Sequence, residues 1–177
     1  MSGSKFLTVW KLLVVFMMLM SSIGCTHHFV AQQCPMKPGM VPEFSGGQPV
    51  TIANAQDAPE QVLIGSQGIH KWMGNLQQWT DTAIGLVKTE LEKRKIMTTE
   101  GANRQLKLSI TRANIYWGFA SIRCITSLKV ETGDGYVREF EGNNVSPWTL
   151  HRACNGAITR AVAAMLNDDT ILAYLKY

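Results

Sequence analysis

The 177 residues, 46% hydrophobic and 17% charged, suit a single domain with room for a core. That balance excludes a disordered polyelectrolyte, and four cysteines are too few for a small disulfide-built scaffold. The formal charge of +4 falls to +2 once Lys5 and Lys11 are set aside with the segment that carries them. Without a basic stripe, no nucleic-acid partner is expected.

Residues 1–11 hold two lysines and no acid, and residues 12–20, LLVVFMMLM, are an unbroken apolar run. Nine helical residues rise only about 14 Å, roughly half a bilayer core, so the pattern predicts an export signal and not a span. The end of this run resembles a bacterial lipoprotein signal. Ile23 and Gly24 precede Cys25 as in a lipobox, with Ser22 where leucine is usual. The resemblance implies cleavage before Cys25, a diacylglycerol on its sulfur and an acyl chain on its new amine. The alternative is ordinary signal-peptidase cleavage nearby with Cys25 free. Several chains, at about 0.8 kcal/mol per buried methylene, hold firmly where one alone does not. Thr26 stands where aspartate would signal inner-membrane retention, which by the same analogy implies the periplasmic face of the outer membrane.

Residues 26–49 carry four prolines, three glycines and no apolar period, so residues 25–48 read as a lipidated start and a Pro/Gly-rich tether. Free, such a chain reaches about 25–30 Å. A folded domain is expected over residues 49–177. Residues 49–55, PVTIANA, are a candidate strand. After a loop rich in Gly and Gln, the spacing predicts a helix over 71–96, with Trp72, Leu76, Trp79, Ala83, Val87 and Leu91 as its apolar stripe. Lys88 with Glu92 and Glu90 with Arg94 are placed on its solvated side, and Lys93, Arg94 and Lys95 suit its C-terminus.

Three strands are expected next. Leu106, Leu108 and Ile110 alternate with polar residues, as do Ile122, Cys124, Thr126, Leu128 and Val130 with their neighbours. Gly133-Asp134-Gly135 predicts a tight hairpin in which Val130 faces Arg138, Leu128 faces Phe140 and Lys129 faces Glu139. Arg138, on an otherwise apolar face, is assigned to the sheet margin. Ser146-Pro147 predicts a helix start with Ser146 as N-cap, with a stripe of Leu150, Cys154, Ala157, Ile158, Ala161 and Met165. Asn167-Asp168-Asp169 caps a short final turn. The expected fold is α+β, a two-layer sandwich of order β-α-β-β-β-α, with a mostly antiparallel sheet and two helices on one face.

The chemistry is sparse. There is no Walker-type loop or dinucleotide fingerprint, and Gly65-Ser66-Gln67-Gly68 lacks the spacing of a nucleophile elbow. Gly133-Asp134-Gly135 is too short and acid-poor for a calcium loop. His27 and His28 have His70 or His151 as conceivable co-ligands, but no pair shares a helix face, and solvated imidazoles are the simpler reading. Glu131, Glu139 and Glu141 read as a solvated charge lattice with Lys129. No metal, cofactor or catalytic residue is assigned. An envelope hydrolase would need His151, Ser146 and an acid gathered in a cleft. In an oxidising compartment, Cys124 on the sheet and Cys154 on the covering helix predict a disulfide. Two buried free thiols, or a pairing through Cys34, remain open. Tyr116, Trp117 and Phe119, around Gly118 at a strand junction, are either an exposed partner-binding tip or a cover over the end of the core.

Several stretches together resemble the YajG-like family of small outer-membrane lipoproteins. They are the signal ending at Cys25, Glu90-Leu91-Glu92-Lys93-Arg94, Arg104-Gln105-Leu106-Lys107-Leu108-Ser109-Ile110, and Ala163 through Leu172. The resemblance implies a non-enzymatic, membrane-anchored periplasmic domain, and only Cys25 carries over, as the lipidation site. The expected partners are the membrane, through the anchor, and an envelope protein. The alternative is an auxiliary lipoprotein presenting a lipid or small apolar ligand for an envelope transport system, which requires an apolar groove between helix and sheet.

Overall fold

A computed structural model describes residues 24–56, 59, 61–147 and 149–177. Apart from Gly24, the signal expected over residues 1–24 lies outside the described residues. Among the described residues the fold is α+β, with two sheets and three helices. Its larger sheet has strand order β2-β5-β6-β7, comprising β2 (Val50–Asn54), β5 (Arg104–Trp117), β6 (Ile122–Thr132) and β7 (Val137–Ser146). β2 runs parallel to β5, and the other pairs are antiparallel. Helix α1 (Leu76–Lys93) lies over β2 and β5, and α2 (Leu150–Leu166) over β6 and β7. Together they form the second layer of the sandwich.

Alternation builds this sheet. Leu106, Leu108 and Ile110 point inward and are fully buried, and then two exposed residues, Thr111 and Arg112, follow in succession. The register slips here, between Ile110 and Arg112. One extra residue shifts the inward positions from even to odd numbers, so Ala113 and Ile115 continue the core. The hairpin register is as expected: Val130 opposite Arg138, Lys129 opposite Glu139 and Leu128 opposite Phe140. On the solvated face Glu131 pairs with Lys107 at 3.2 Å and Glu141 with Arg112 at 2.8 Å, while Thr111 donates to Glu139. Exposed pairs of this kind each contribute only about 0–1 kcal/mol. Arg138 lies on edge strand β7 and reaches outward to Asp168, the N-cap of α3 (Asp169–Lys176).

Two helix starts differ from expectation. Ser146 does not cap α2, because it still pairs with Ile122 as the last residue of β7, and Thr149 takes the N-cap position. The first helix begins at Leu76, capped by Asn75, whose side chain accepts from the Gln78 N–H. Residues 71–75, expected to be helical, belong to a second, three-stranded sheet of order β1-β4-β3. Its members are β1 (Thr26–Phe29), β3 (Gln61–Gln67) and β4 (His70–Asn75). A register shift between Leu63 and Gly65 breaks the two-residue period that would have marked β3 as a strand.

The largest difference concerns residues 26–48. They are not a free tether. Thr26–Phe29 pair in parallel with β4, and the next segment crosses the outer surfaces of both helices as a strap. Ala31, Met36 and Val41 are buried against the core. With no ladder available, the strap's backbone polar groups are satisfied by helix side chains. Gln78 donates to the Ala31 carbonyl at 2.7 Å and accepts its N–H at 3.1 Å. Asn155 accepts the Gln32 N–H at 3.1 Å, and Thr159 donates to the Cys34 carbonyl at 3.0 Å. Asn167 donates to the Met40 carbonyl at 2.7 Å, and Arg94 to the carbonyls of Pro42 and Val41. Glu90, placed on the solvated side by periodicity, is buried beside the strap and paired with Arg94 at 2.7 Å and Lys93 at 2.6 Å. Burial raises its pKa, but the hydrogen bonds and charges of Lys93 and Arg94 outweigh that and hold it below the ordinary carboxylate value.

Helix α2 approaches the sheet closely at Gly142 on β7. A Cβ there would stand 1.9 Å from the Ala157 carbonyl oxygen and 2.5 Å from the Ala161 nitrogen, both backbone atoms of α2 that cannot swing aside. Gly142→Ala should therefore cost about 3 kcal/mol or more, lowering the melting temperature by roughly 6–12 °C. An unchanged melting curve would contradict this packing.

Candidate functional site at the Cys25 end of the small sheet

Cys25 is exposed and sits one residue ahead of β1. Its carbonyl accepts the Lys71 N–H at 2.9 Å, extending the β1–β4 ladder by one bond. Gly24 lies against the turn between β3 and β4, since a Cβ on it would come within 2.8 Å of the Ile69 carbonyl oxygen. The cysteine is thus fixed at the rim of the folded body.

Three contacts align the small sheet along β5. The Thr80 hydroxyl, early in α1, accepts the Ile110 N–H at 2.9 Å. Gly65 lies under Ile115, leaving no room for a side chain. The Trp72 and Trp117 rings meet with centroids 4.6 Å apart. Moving along β5 from Ile110 to Trp117 therefore follows β4 backwards from its helix end to its turn. The turn at Gly68-Ile69 and the β5–β6 turn at residues 118–121 lie at the same end of the molecule, with Cys25.

An aromatic and imidazole cluster occupies this end. β1 places His27 directly opposite Trp72, and the rings stack with centroids 5.0 Å apart. His27 Nε2 and His70 Nδ1 are 3.0 Å apart, so one nitrogen carries the proton and the other accepts it. Around them stand exposed apolar groups: Ile69 at 54%, Tyr116 at 52% and Phe119 fully open to solvent.

The aromatic junction thus divides between its two readings. Tyr116 and Phe119 are exposed, whereas Trp117 packs against the core and Trp72. The Trp117 indole nitrogen is buried without a hydrogen-bond partner, as is that of Trp79. Helical periodicity places Trp72 away from Trp117 and hides their contact, and His27 and His70, expected as solvated imidazoles, are instead joined to each other and to Trp72. Among the described residues no group of three or more His, Cys, Asp or Glu side chains has the arrangement to hold a metal.

The expected Cys124–Cys154 bridge is not formed. Both are free, fully buried thiols, beyond bonding distance of each other. Burial first, and then the neighbouring Cys124 thiol, pushes the Cys154 pKa far up. Fully buried on facing elements, the two thiols serve as small core side chains. Cys34 is exposed and also free. Ser146 and His151 have other partners: the Ser146 hydroxyl bonds that of Thr149 at 3.0 Å, and the His151 ring rests on Phe29 at 4.9 Å. The helix–sheet interface, where an apolar groove was the alternative expectation, is filled by Leu108, Leu128, Ile158 and Met165, all fully buried.

No family model matches this chain, and neither does any curated protein.

The two classes of aromatic are separable by mutation. Trp117→Ala should destabilise the domain by about 2–3 kcal/mol, whereas Phe119→Ser should change stability by less than about 0.5 kcal/mol. Thermal denaturation of the two variants checks this, and equal losses would contradict the assignment.

Proposed function

We propose that the protein is a lipid-anchored, non-catalytic interaction domain of the bacterial cell envelope, held at the periplasmic face of the outer membrane through acylated Cys25. The observation that carries this reading is the placement of Cys25. It comes after a basic start, an apolar run and Ile23-Gly24 in the sequence, and its side chain is exposed at the rim of the fold. The resemblance to the YajG-like lipoproteins supports the same reading. A modifying enzyme needs an accessible thiol, and Cys25 offers one where Cys124 and Cys154 do not. The filled helix–sheet interface favours an interaction domain over a carrier of lipid or another small apolar ligand. The surface available to an envelope protein partner is the solvated face of the larger sheet, with its exposed Lys107, Glu131, Arg112 and Glu141.

Metabolic labelling tests the anchor. Radiolabelled palmitate should enter the wild-type protein, and Cys25→Ala should abolish labelling and move the protein from the envelope pellet to the soluble fraction. Absence of label in the wild type, or a Cys25→Ala form that stays as firmly in the pellet, would overturn the reading.

A further inference from the structure

The anchor and the fold share one end of the molecule, with no slack chain between them. Thr26, the residue after the acylation site, is already paired with Lys71 in β1. A protein held by Cys25 therefore brings a defined surface to the bilayer: Cys25 itself, the β3–β4 turn with Ile69, and the β5–β6 turn with Phe119 and Tyr116. We infer that this end is a membrane-docking face, on which Phe119, Ile69 and Tyr116 insert at the phospholipid surface while Lys71 and Arg123 meet lipid phosphates. The inference rests on the anchoring proposed above and deepens it.

Composition and geometry support that occupant independently of the anchor. The exposed apolar residues are of the kind that partitions to a membrane interface, an aromatic with a polar tip beside fully apolar side chains. Phe119 is open to solvent and Ile69 and Tyr116 are half exposed. Burying them here removes apolar surface from water that folding leaves uncovered. Charge agrees. Segments 24–42, 61–80, 113–130 and 143–167, which build this end and the helix beside it, contain no aspartate or glutamate. Lys71 and Arg123 are both exposed there, with Arg123 directly opposite Tyr116. The carboxylates Glu131, Asp134, Asp168 and Asp169 lie at the far end of the larger sheet or on the helix packed there. A face that is positive and lacks carboxylates among the described residues fits an anionic leaflet, where each surface cation contributes about 1 kcal/mol. It does not fit an acid-rich envelope of mixed pairs like the one on the solvated sheet face.

The test uses the full acylated protein reconstituted in phosphatidylethanolamine–phosphatidylglycerol vesicles with brominated acyl chains, which quench tryptophan on contact. Phe119→Trp places a reporter at the docking face and Val137→Trp one at the opposite end of β7, both at exposed positions. Vesicle flotation is measured alongside. The emission added by Phe119→Trp should be quenched at least about twofold, and that added by Val137→Trp hardly at all, as interfacial insertion of one end requires. Flotation with equal quenching at both positions, or none at either, would overturn the docking face while leaving the anchor intact, and would assign Phe119 and Tyr116 to a protein partner. Protein that fails to float would overturn both proposals.

Discussion

Four residues of parallel strand set the geometry of this molecule. Thr26–Phe29 pair with Lys71–Gly74, and the ladder begins one bond earlier, at the Cys25 carbonyl. Each residue in a strand gives up backbone freedom worth about 1–2 kcal/mol, so such a short edge strand holds only when its side chains are buried as well. Phe29 supplies that burial, edge-on to Trp79 with centroids 5.3 Å apart. The strap beyond Phe29 meets the same requirement by other means. It has no strand partner, and Gln78, Asn155, Thr159, Asn167 and Arg94 take up its backbone groups one after another. A segment with the composition of a linker is thereby made a third layer over the helices.

The consequence for function is mechanical. Under the proposed anchoring at Cys25, a domain joined to the bilayer at its rim presents a single face, where one on a free tether would sample every orientation. That face carries exposed aromatics, two histidines in hydrogen-bond contact and a local excess of positive charge. Beneath it the packing is rigid. Gly65 admits Ile115 against its backbone, and Trp72 rests on Trp117, so the small sheet and β5 behave as one surface. The buried thiols of Cys124 and Cys154 belong to the core behind it and take no part in it.

The sequence made the larger sheet legible because its physics is local. Leu106, Leu108 and Ile110, then Cys124 through Val130, alternate with a clean two-residue period, and the Gly-Asp-Gly turn sets the hairpin register. The α1 and α2 stripes were legible for the same reason, as was the Asp168 cap. The small sheet was not. Its strands are short, its period is broken at Leu63/Gly65, and half its pairing comes from residues more than 40 positions away. Trp72 stands four residues before Leu76, a spacing that imitates a helical stripe. The strap left a fainter mark: polar residues such as Thr82, Asn155, Thr159 and Glu90 are buried on the helices, and each pairs with the strap or with the Arg94 that grips it. The disulfide expectation failed because facing positions bring thiols near each other without setting the sulfur–sulfur distance that a bond requires.

Native-state hydrogen exchange of the amides that join the N-terminal segment to the domain tests this account most directly. The N–H groups of Lys71, Ala31 and Gln32 donate to the Cys25 carbonyl, to Gln78 and to Asn155. Their exchange should be slowed about 100-fold or more relative to an unstructured peptide, since opening them requires β1 and the strap to detach. Exchange of all three at the unstructured rate would mean that the segment hangs free, and would contradict the fixed seating of Cys25.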